Sequence, residues 1–206
     1  FAGAGPTGVE LACKISDLVE DRVEIYLVDK GNKILPNCKS FNREKAIEAI
    51  DNRKIRLYLD SYIQSVDKTY LNLSSVDDQT NTSTKIEYSN LFWTAGSKPV
   101  KSKLVNNFLD ENQKIKVNNF MQIDQYQNIF FVGDITYYEK SPFPSSAQVA
   151  MQQGFLAAQN IISLRKGNEL KPFKFEDLGE MLSLGIGSAS ITGYGITLSG
   201  LLAFEI

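Results

Sequence analysis

The sequence predicts an α/β protein built around a parallel sheet, and three observations carry that expectation. A glycine run at the very start, GAGPTG (Gly3 to Gly8), leads straight into an amphipathic stretch. Apolar β-branched runs then alternate with helical periodicities through the first half of the chain. A second apolar run, NIFFVGD (Asn128 to Asp134), closes on Gly133 and Asp134 and is followed by a long helical pattern. Strand–turn–helix units of this kind bury a parallel sheet between helices.

The elements follow in order. Val9 to Glu20 reads as a helix whose apolar face is Leu11, Ala12, Ile15, Leu18 and Val19. Val23 to Val28 is a short apolar run ending in Asp29, as a buried parallel strand would. Phe41 to Ile50 reads as a helix with Ala46, Ile47 and Ile50 inward, and Ile55, Leu57 and Leu59 alternate as a strand does. The first half is therefore βαβαβ. Tyr62 to Val66, Tyr70 to Leu73 and Lys85 to Tyr88 then predict an antiparallel meander, with the polar loop DDQTNTST (Asp77 to Thr84) inside it. Leu91 to Ala95 predicts one more buried strand, leaving the sheet at Gly96. Ile115 to Val117 and Met121 to Ile123 predict brief strands, and Ile129 to Val132 a buried one. Ser145 to Arg165 reads as a long helix carrying Ala147, Ala150, Met151, Leu156 and Ile161.

The last section differs. Met181 to Phe204 holds no charged residue and five glycines. Its length would suit a membrane span, but its Gly, Ser and Thr content suits strand-like packing or an interfacial segment better. These boundaries predict a first domain over residues 1–95, a second over 96–170 and a third region over 171–206.

Composition excludes several classes of chemistry. The chain has 206 residues, a net charge of −2 and no histidine. A mildly acidic chain has no electrostatic footprint for nucleic acid. Without histidine there is no Ser-His-Asp triad and no imidazole base. Cys13 and Cys38 stand far apart with no CxxC pair, which argues against a metal site and suits reduced thiols in a reducing compartment.

The glycine run carries the most specific chemistry. Gly3 permits a tight turn, Gly5 lets backbone approach a pyrophosphate, and Gly8 lets helix and sheet pack closely. Pro6 and Thr7 open the helix, whose free amides would hold phosphates. The bland alternative is a glycine turn without a ligand. The helix, the next strand and Asp29 at its end favour a dinucleotide. Asp29 would accept from a ribose 2′-hydroxyl and repel a 2′-phosphate, which favours NADH, although Lys30 and Lys33 work the other way. Its alternative is a solvated turn residue. Glu10, read as lying in the first helical turn, either complements the helix dipole or faces the nicotinamide end.

In the second half, Asp134 is placed either to accept from a ligand's hydroxyls or to cap a turn. Gly96 stands where backbone could pass close to a ligand. Gln148 and Gln152, four apart in AQVAMQQG (Ala147 to Gly154), share one helical face. Small Ala147 and Ala150 would let a flat ring approach. A half-solvated helix face explains the same residues.

Taken together, these residues resemble the pyridine-nucleotide-dependent flavin oxidoreductases with two dinucleotide-binding domains, and more narrowly the type II NADH dehydrogenases. GAGPTGVELA resembles that family's NADH loop, including its Glu, here Glu10. LVDKGNKILP, LFWTAGSKP and NIFFVGDI resemble the second strand, the return crossing and the second flavin motif. SAQVAMQQG followed by GEMLSLG (Gly179 to Gly185) is what narrows the match. The resemblance implies a Rossmann-like NAD(H)-binding domain with a meander crossover, followed by the C-terminal part of an FAD-binding Rossmann-like domain and a membrane-facing region. It implies hydride transfer from NADH to FAD and two-electron transfer to a membrane quinone. Gly3, Gly5, Pro6, Thr7, Gly8, Glu10 and Asp29 would hold NADH. Gly96, Gly133, Asp134, Ala147 and Gln148 would border FAD, with Gln148 and Gln152 at the quinone. It further implies peripheral attachment at the cytoplasmic face of a membrane, and is compatible with a homodimer.

The family's first glycine loop is missing, so the chain is expected to be an N-terminally truncated piece. Three rivals stand beside this reading. They are a disulfide reductase, a sulfide:quinone oxidoreductase, and an inactive NAD(H)-binding fragment unable to hold flavin.

Overall fold

A computed structural model describes residues 1–20, 22–76, 83–96, 103–140 and 143–206. Two compact units emerge, one formed by Phe1–Gly96 with Gly179–Ile206 and the other by Ser97–Leu178.

The first unit is built on a short parallel sheet. Its helix α1 (Pro6–Val19) begins with Pro at the first position, where the missing N–H costs nothing. Strand β1 (Tyr26–Val28) follows, then helix α2 (Ser40–Asn52) and strand β2 (Arg56–Tyr58), which pairs parallel with β1. Ala2 bridges Val28 on one side and Trp93 on the other, both parallel. The order across the sheet is β2, β1, Ala2, Trp93, so the earliest residues lie in the middle. That order is the doubly wound pattern.

Beyond β2 comes the expected meander, an antiparallel sheet of β3 (Ser61–Val66), β4 (Tyr70–Ser75) and β5 (Ser83–Glu87). Leu71, Leu73 and Ile86 pack with Val28 beneath it. Most of the loop DDQTNTST lies outside the described residues.

Several local expectations need correction. Leu91 to Ala95 is not a buried strand. Ladder bonds reach only from Phe92 and Thr94 to Ala2, because a ladder is no longer than its shorter partner. Trp93 is 60% exposed. Phe92 instead stacks on Phe1 at 4.8 Å between centroids. In α1 the buried residues are Gly8, Val9, Ala12, Cys13 and Ser16, while Leu11 and Leu18 are exposed. Small residues line this helix because it is packed on two sides. Ala46 and Ile50 of α2 point inward as expected, but Ile47 is exposed, and Val23 lies outside the strand in solvent.

The uncharged section forms strands, as its composition favours. These are β10 (Glu180–Ser183), β11 (Ala189–Gly193) and β12 (Ile196–Gly200), in an antiparallel sheet that packs on α1 and α2. No helix among the described residues is long and apolar enough to cross a membrane. Leu182 and Leu184 join the core of Ala4, Val9, Leu27 and Ile50. Polar groups fix the register. Asn42, fully buried, donates to the Glu180 carboxylate at 2.9 Å and accepts from the Thr192 hydroxyl at 3.0 Å. Arg53 forms a two-point ion pair with Asp17, whose Oδ2 also accepts from the Ile186 N–H at 2.7 Å.

The second unit holds α3 (Lys103–Asn106), β6 (Ile115–Lys116), the hairpin β7 (Gln122–Ile123) and β8 (Tyr126–Phe130), β9 (Thr136–Tyr137) and α4 (Ala147–Lys166). Its core is Ile115, Val117, Met121 and Ile123, with Phe131, Leu156 and Phe173 packed around them. The Ile129 to Val132 run is half-buried, and its ladder stops at Phe130, pairing antiparallel with β7. On α4, Met151 and Ile161 face solvent. The inward residues are Val149, Gln153, Ala157 and Asn160. Ser146 caps the helix through Val149 N–H, and Gly167 ends it in the left-handed conformation.

Burial disfavours an ionised Asp17, but the Arg53 and Ile186 hydrogen bonds outweigh it and hold the carboxyl below its ordinary range. A depressed native pKa means its contribution is complete above about pH 4 and is lost as pH falls through that native value. Asp17→Asn should lower unfolding free energy by about 1–3 kcal/mol at pH 7. The gap between variant and wild type should narrow on acidification, as urea titrations at pH 7 and pH 3 would report.

Candidate functional site

The carboxyl ends of the parallel strands converge on the Gly3–Gly8 loop. Gly3 N–H donates to Val28 C=O at 2.8 Å, which holds the loop against β1. Gly3 takes φ +106°, and a Cβ there would lie 3.0 Å from the Ala95 backbone. A Cβ on Gly8 would sit 1.9 Å from the Gly3 carbonyl oxygen and 2.9 Å from Thr94 Oγ1. The helix can start this close to the strand only with glycine at that position. Gly5 is different, since a Cβ there would meet nothing within 4 Å and its φ of −75° is open to any residue. The chain itself does not demand glycine at Gly5. The space in front of it is open, as a phosphate approaching the backbone would need. No side chain caps this helix end at Gly5, and Pro6 and Thr7 are exposed at its first turn. The start of α1 is thus a 14-residue helix terminus with its dipole facing that space.

Asp29 is tied into the same loop. One carboxylate oxygen accepts from Ala4 N–H and the other from Gly31 N–H, both at 2.7 Å. A carboxylate has about four acceptor sites, so two stay open to hydroxyl donors. Asp29 is therefore more than a solvated turn residue: it braces the glycine loop. Glu10 lies in the second turn of α1, beyond the first turn expected for it, where the dipole is weaker. Its Oε1 accepts from Ser183 N–H at 2.9 Å, linking α1 to β10. Thr94, not singled out by the sequence, donates through Oγ1 to Ala2 C=O at 2.8 Å beneath the loop. Gly96 is exposed at φ +83°. The crossing beyond it lies outside the described residues.

A groove of about 710 Å³ in this unit, lined by Phe1, Tyr26, Leu71, Tyr88 and Phe92, opens at the amino ends of the strands. Ligands of doubly wound sheets bind at the opposite ends. Burial pushes the Cys13 thiol up to about 11, and burial with the neighbouring Glu180 carboxylate pushes Cys38 up to about 12. Neither is a nucleophile at neutral pH.

In the second unit, Gly133 and Asp134 open a tight turn. Gly133 takes φ +80° and its carbonyl accepts from Thr136 N–H at 2.9 Å and Thr136 Oγ1 at 2.8 Å. Lys114 Nζ donates to the Asp134 carbonyl, while the Asp134 side chain faces solvent. Ala147 is exposed at the start of α4. Gln148 and Gln152 share one face, as their spacing predicts, and both reach the backbone of residues 176–178. Gln152 donates to Glu176 C=O at 2.8 Å and accepts from Glu176 N–H at 3.0 Å. Gln148 accepts from Leu178 N–H at 2.9 Å. Gln153, which the sequence reading passed over, points elsewhere: its Oε1 accepts from Gly133 N–H at 2.7 Å. A polar side chain in helical phase with Val149, Leu156 and Ala157 was the available signal.

The profile of the pyridine nucleotide-disulphide oxidoreductase family matches residues 1–154 of the 206. The chain belongs to that family. It is 30% identical over 206 residues to demethylphylloquinone reductase NdbB of Synechocystis, covering 97% of this chain and 50% of that protein. It is 31% identical over 217 residues to the alternative NAD(P)H-ubiquinone oxidoreductase C1 of Arabidopsis thaliana, covering 96% and 42%. The chain thus spans about half the length of these curated relatives. In fold it is similar to NDH2 from Plasmodium falciparum in complex with NADH, at a TM-score of 0.83 and 17% identity, over 97% of this chain and 58% of that one.

Alanine at Gly8 and Gly5 should separate packing from binding. Gly→Ala inside a helix ordinarily gains about 1 kcal/mol. Gly8→Ala should instead lose about 1–3 kcal/mol through overpacking, seen as a lowered Tm. Gly5→Ala should leave Tm within about 2 °C, a shift that corresponds to about 0.5–1 kcal/mol at most.

Proposed function

We propose that this chain is part of a flavoprotein that takes a hydride from NADH and passes two electrons to a membrane quinone. The observation that carries the reading is the contrast within the glycine loop. Gly8 is required by the fold, while Gly5 faces open space that the fold does not use. That combination fits a pyrophosphate on the start of α1, with Gly3, Gly5 and Gly8 shaping the loop and the Thr7 and Gly8 amides facing the phosphates. Asp29, with acceptor sites to spare, would take the ribose hydroxyls and disfavour a 2′-phosphate. Glu10 and Gly96 would border the nicotinamide and flavin ends.

The Gly133–Asp134 turn, with its backbone held and its carboxylate exposed, fits the hydroxyls of the ribityl chain of FAD. Ala147 leaves room for a flat ring, and Gln148 would border it. When bound, the flavin supplies two-electron chemistry between nicotinamide and quinone. The protein's part is to orient the rings and exclude water. Gln148 and Gln152 would stand beside the quinone, with residues 176–178 as their fixed support. The names of the curated relatives support the quinone as acceptor. A lipid-dissolved acceptor supports peripheral attachment to a membrane, and NADH as donor is compatible with its cytoplasmic face.

The test is anaerobic titration of the FAD-loaded protein with NADH or NADPH, followed by a short-chain quinone. NADH should bleach the flavin band and quinone should restore it, with NADPH at least tenfold less effective. Restoration by a disulfide alone would overturn the quinone assignment. Gly5→Ala should raise KM for NADH at least tenfold, equivalent to about 1.4 kcal/mol of lost binding, with the flavin spectrum unchanged.

A further inference from the structure

Three glutamines stand within six residues of α4, and they do not share a task. Gln148 and Gln152 lie on the face that binds residues 176–178. Gln153 lies in the core stripe with Val149, Ala157 and Asn160 and is 2% exposed. Among the described residues its amide makes one hydrogen bond, from Gly133 N–H to Oε1 at 2.7 Å. A leucine or methionine would fill this layer without the cost of burying an amide.

What the buried amide secures is a backbone group of the turn that no strand pairs, the Gly133 N–H. The β8 ladder ends at Phe130, and the Phe131 N–H still finds Met121 C=O at 3.0 Å. The Gly133 N–H is past the reach of β7. The Gly133 carbonyl is taken by Thr136 and the Asp134 carbonyl by Lys114. With Gln153 in place, the turn is gripped from both sides and the Asp134 carboxylate is left outward.

We infer that Gln153 is a positioning residue for flavin binding: it fixes the Gly133 turn, so that Asp134 meets the cofactor's hydroxyls in one geometry. The inference rests on the flavin reading above. Gln153 touches no cofactor in this account; it acts through Gly133. An acceptor oxygen at this place is what matters, so glutamate serves where methionine does not.

The test compares the full-length protein that carries this chain with its Gln153→Glu and Gln153→Met variants, each freed of flavin and titrated with FAD, with flavin fluorescence as readout and NADH binding measured separately. Gln153→Met should weaken FAD at least tenfold, and Gln153→Glu should stay within about threefold of wild type, the separation expected for one lost buried hydrogen bond. NADH affinity should be unchanged in both, because the glycine loop belongs to the other compact unit. Faster amide exchange at Gly133 in the methionine variant alone would support the stated cause. FAD binding by Gln153→Met equal to wild type would overturn the inference, as would equal losses in both variants or a parallel loss of NADH binding. Wild type that binds NADH but no FAD would overturn the flavin reading itself, and this inference with it.

Discussion

The first unit depends on the closeness of a helix to a strand. The start of α1 rests on the Gly3 carbonyl so tightly that a single methyl group at Gly8 has no place. That approach sets where the helix dipole points, how Thr94 fits beneath the loop, and why Asp29 can reach Ala4 from the end of β1. Overpacking in a rigid core costs about 1–3 kcal/mol, a large share of the roughly 5–15 kcal/mol that holds a domain folded. Glycine here is thus a condition of the fold before it is a feature of binding. The neighbouring Gly5 is the reverse case, a glycine the fold could do without.

The second constraint is polar. The C-terminal segment meets α1 and α2 through Glu10, Asp17, Asn42 and Glu180, each bonded to a partner on the other side, with Arg53 holding Asp17 in place. Buried groups of this kind are costly when unpaired and specific when paired. They choose one register for strands that carry a single charged residue, Glu180, among them. Gly185 carries the same logic, since a Cβ there would lie 2.2 Å from the Arg53 guanidinium and 2.4 Å from the Asp17 carboxylate.

Much of the architecture was legible in the chain. Glycine spacing marked the loop, period-2 runs marked the meander, and the want of charge in the last section pointed to strands. The misreadings share a cause. Leu11, Leu18 and Ile47 look inward by periodicity, yet α1 is covered on two faces by small residues instead. Leu91 to Ala95 has the composition of a buried strand but only the short Phe1–Gly3 stretch to pair with. On α4 the apolar Met151 and Ile161 face solvent while Gln153 and Asn160 are buried. Asn160 is buried to hold Lys171 at both backbone groups and Gln153 to hold Gly133. Such inversions arise when a side chain's partner is a distant backbone group, which no local pattern encodes. The spacing of Gln148 and Gln152 gave their shared face, but not the backbone it grips.

The chain order of the two units has a consequence for how the protein is made. The unit carrying the glycine loop is interrupted by the other, which occupies Ser97–Leu178. Glu10 and its partner Ser183 are 173 positions apart, and Asn42 and Thr192 are 150 apart. On a ribosome, Phe1–Gly96 emerges before Gly179–Ile206, with the faces of α1 and α2 that the later strands cover bare and Asn42 unanswered. Contacts this distant in sequence form slowly, because loop closure precedes the reward. The nascent Phe1–Gly96 segment is therefore exposed to misassociation until β10, β11 and β12 arrive to cover it.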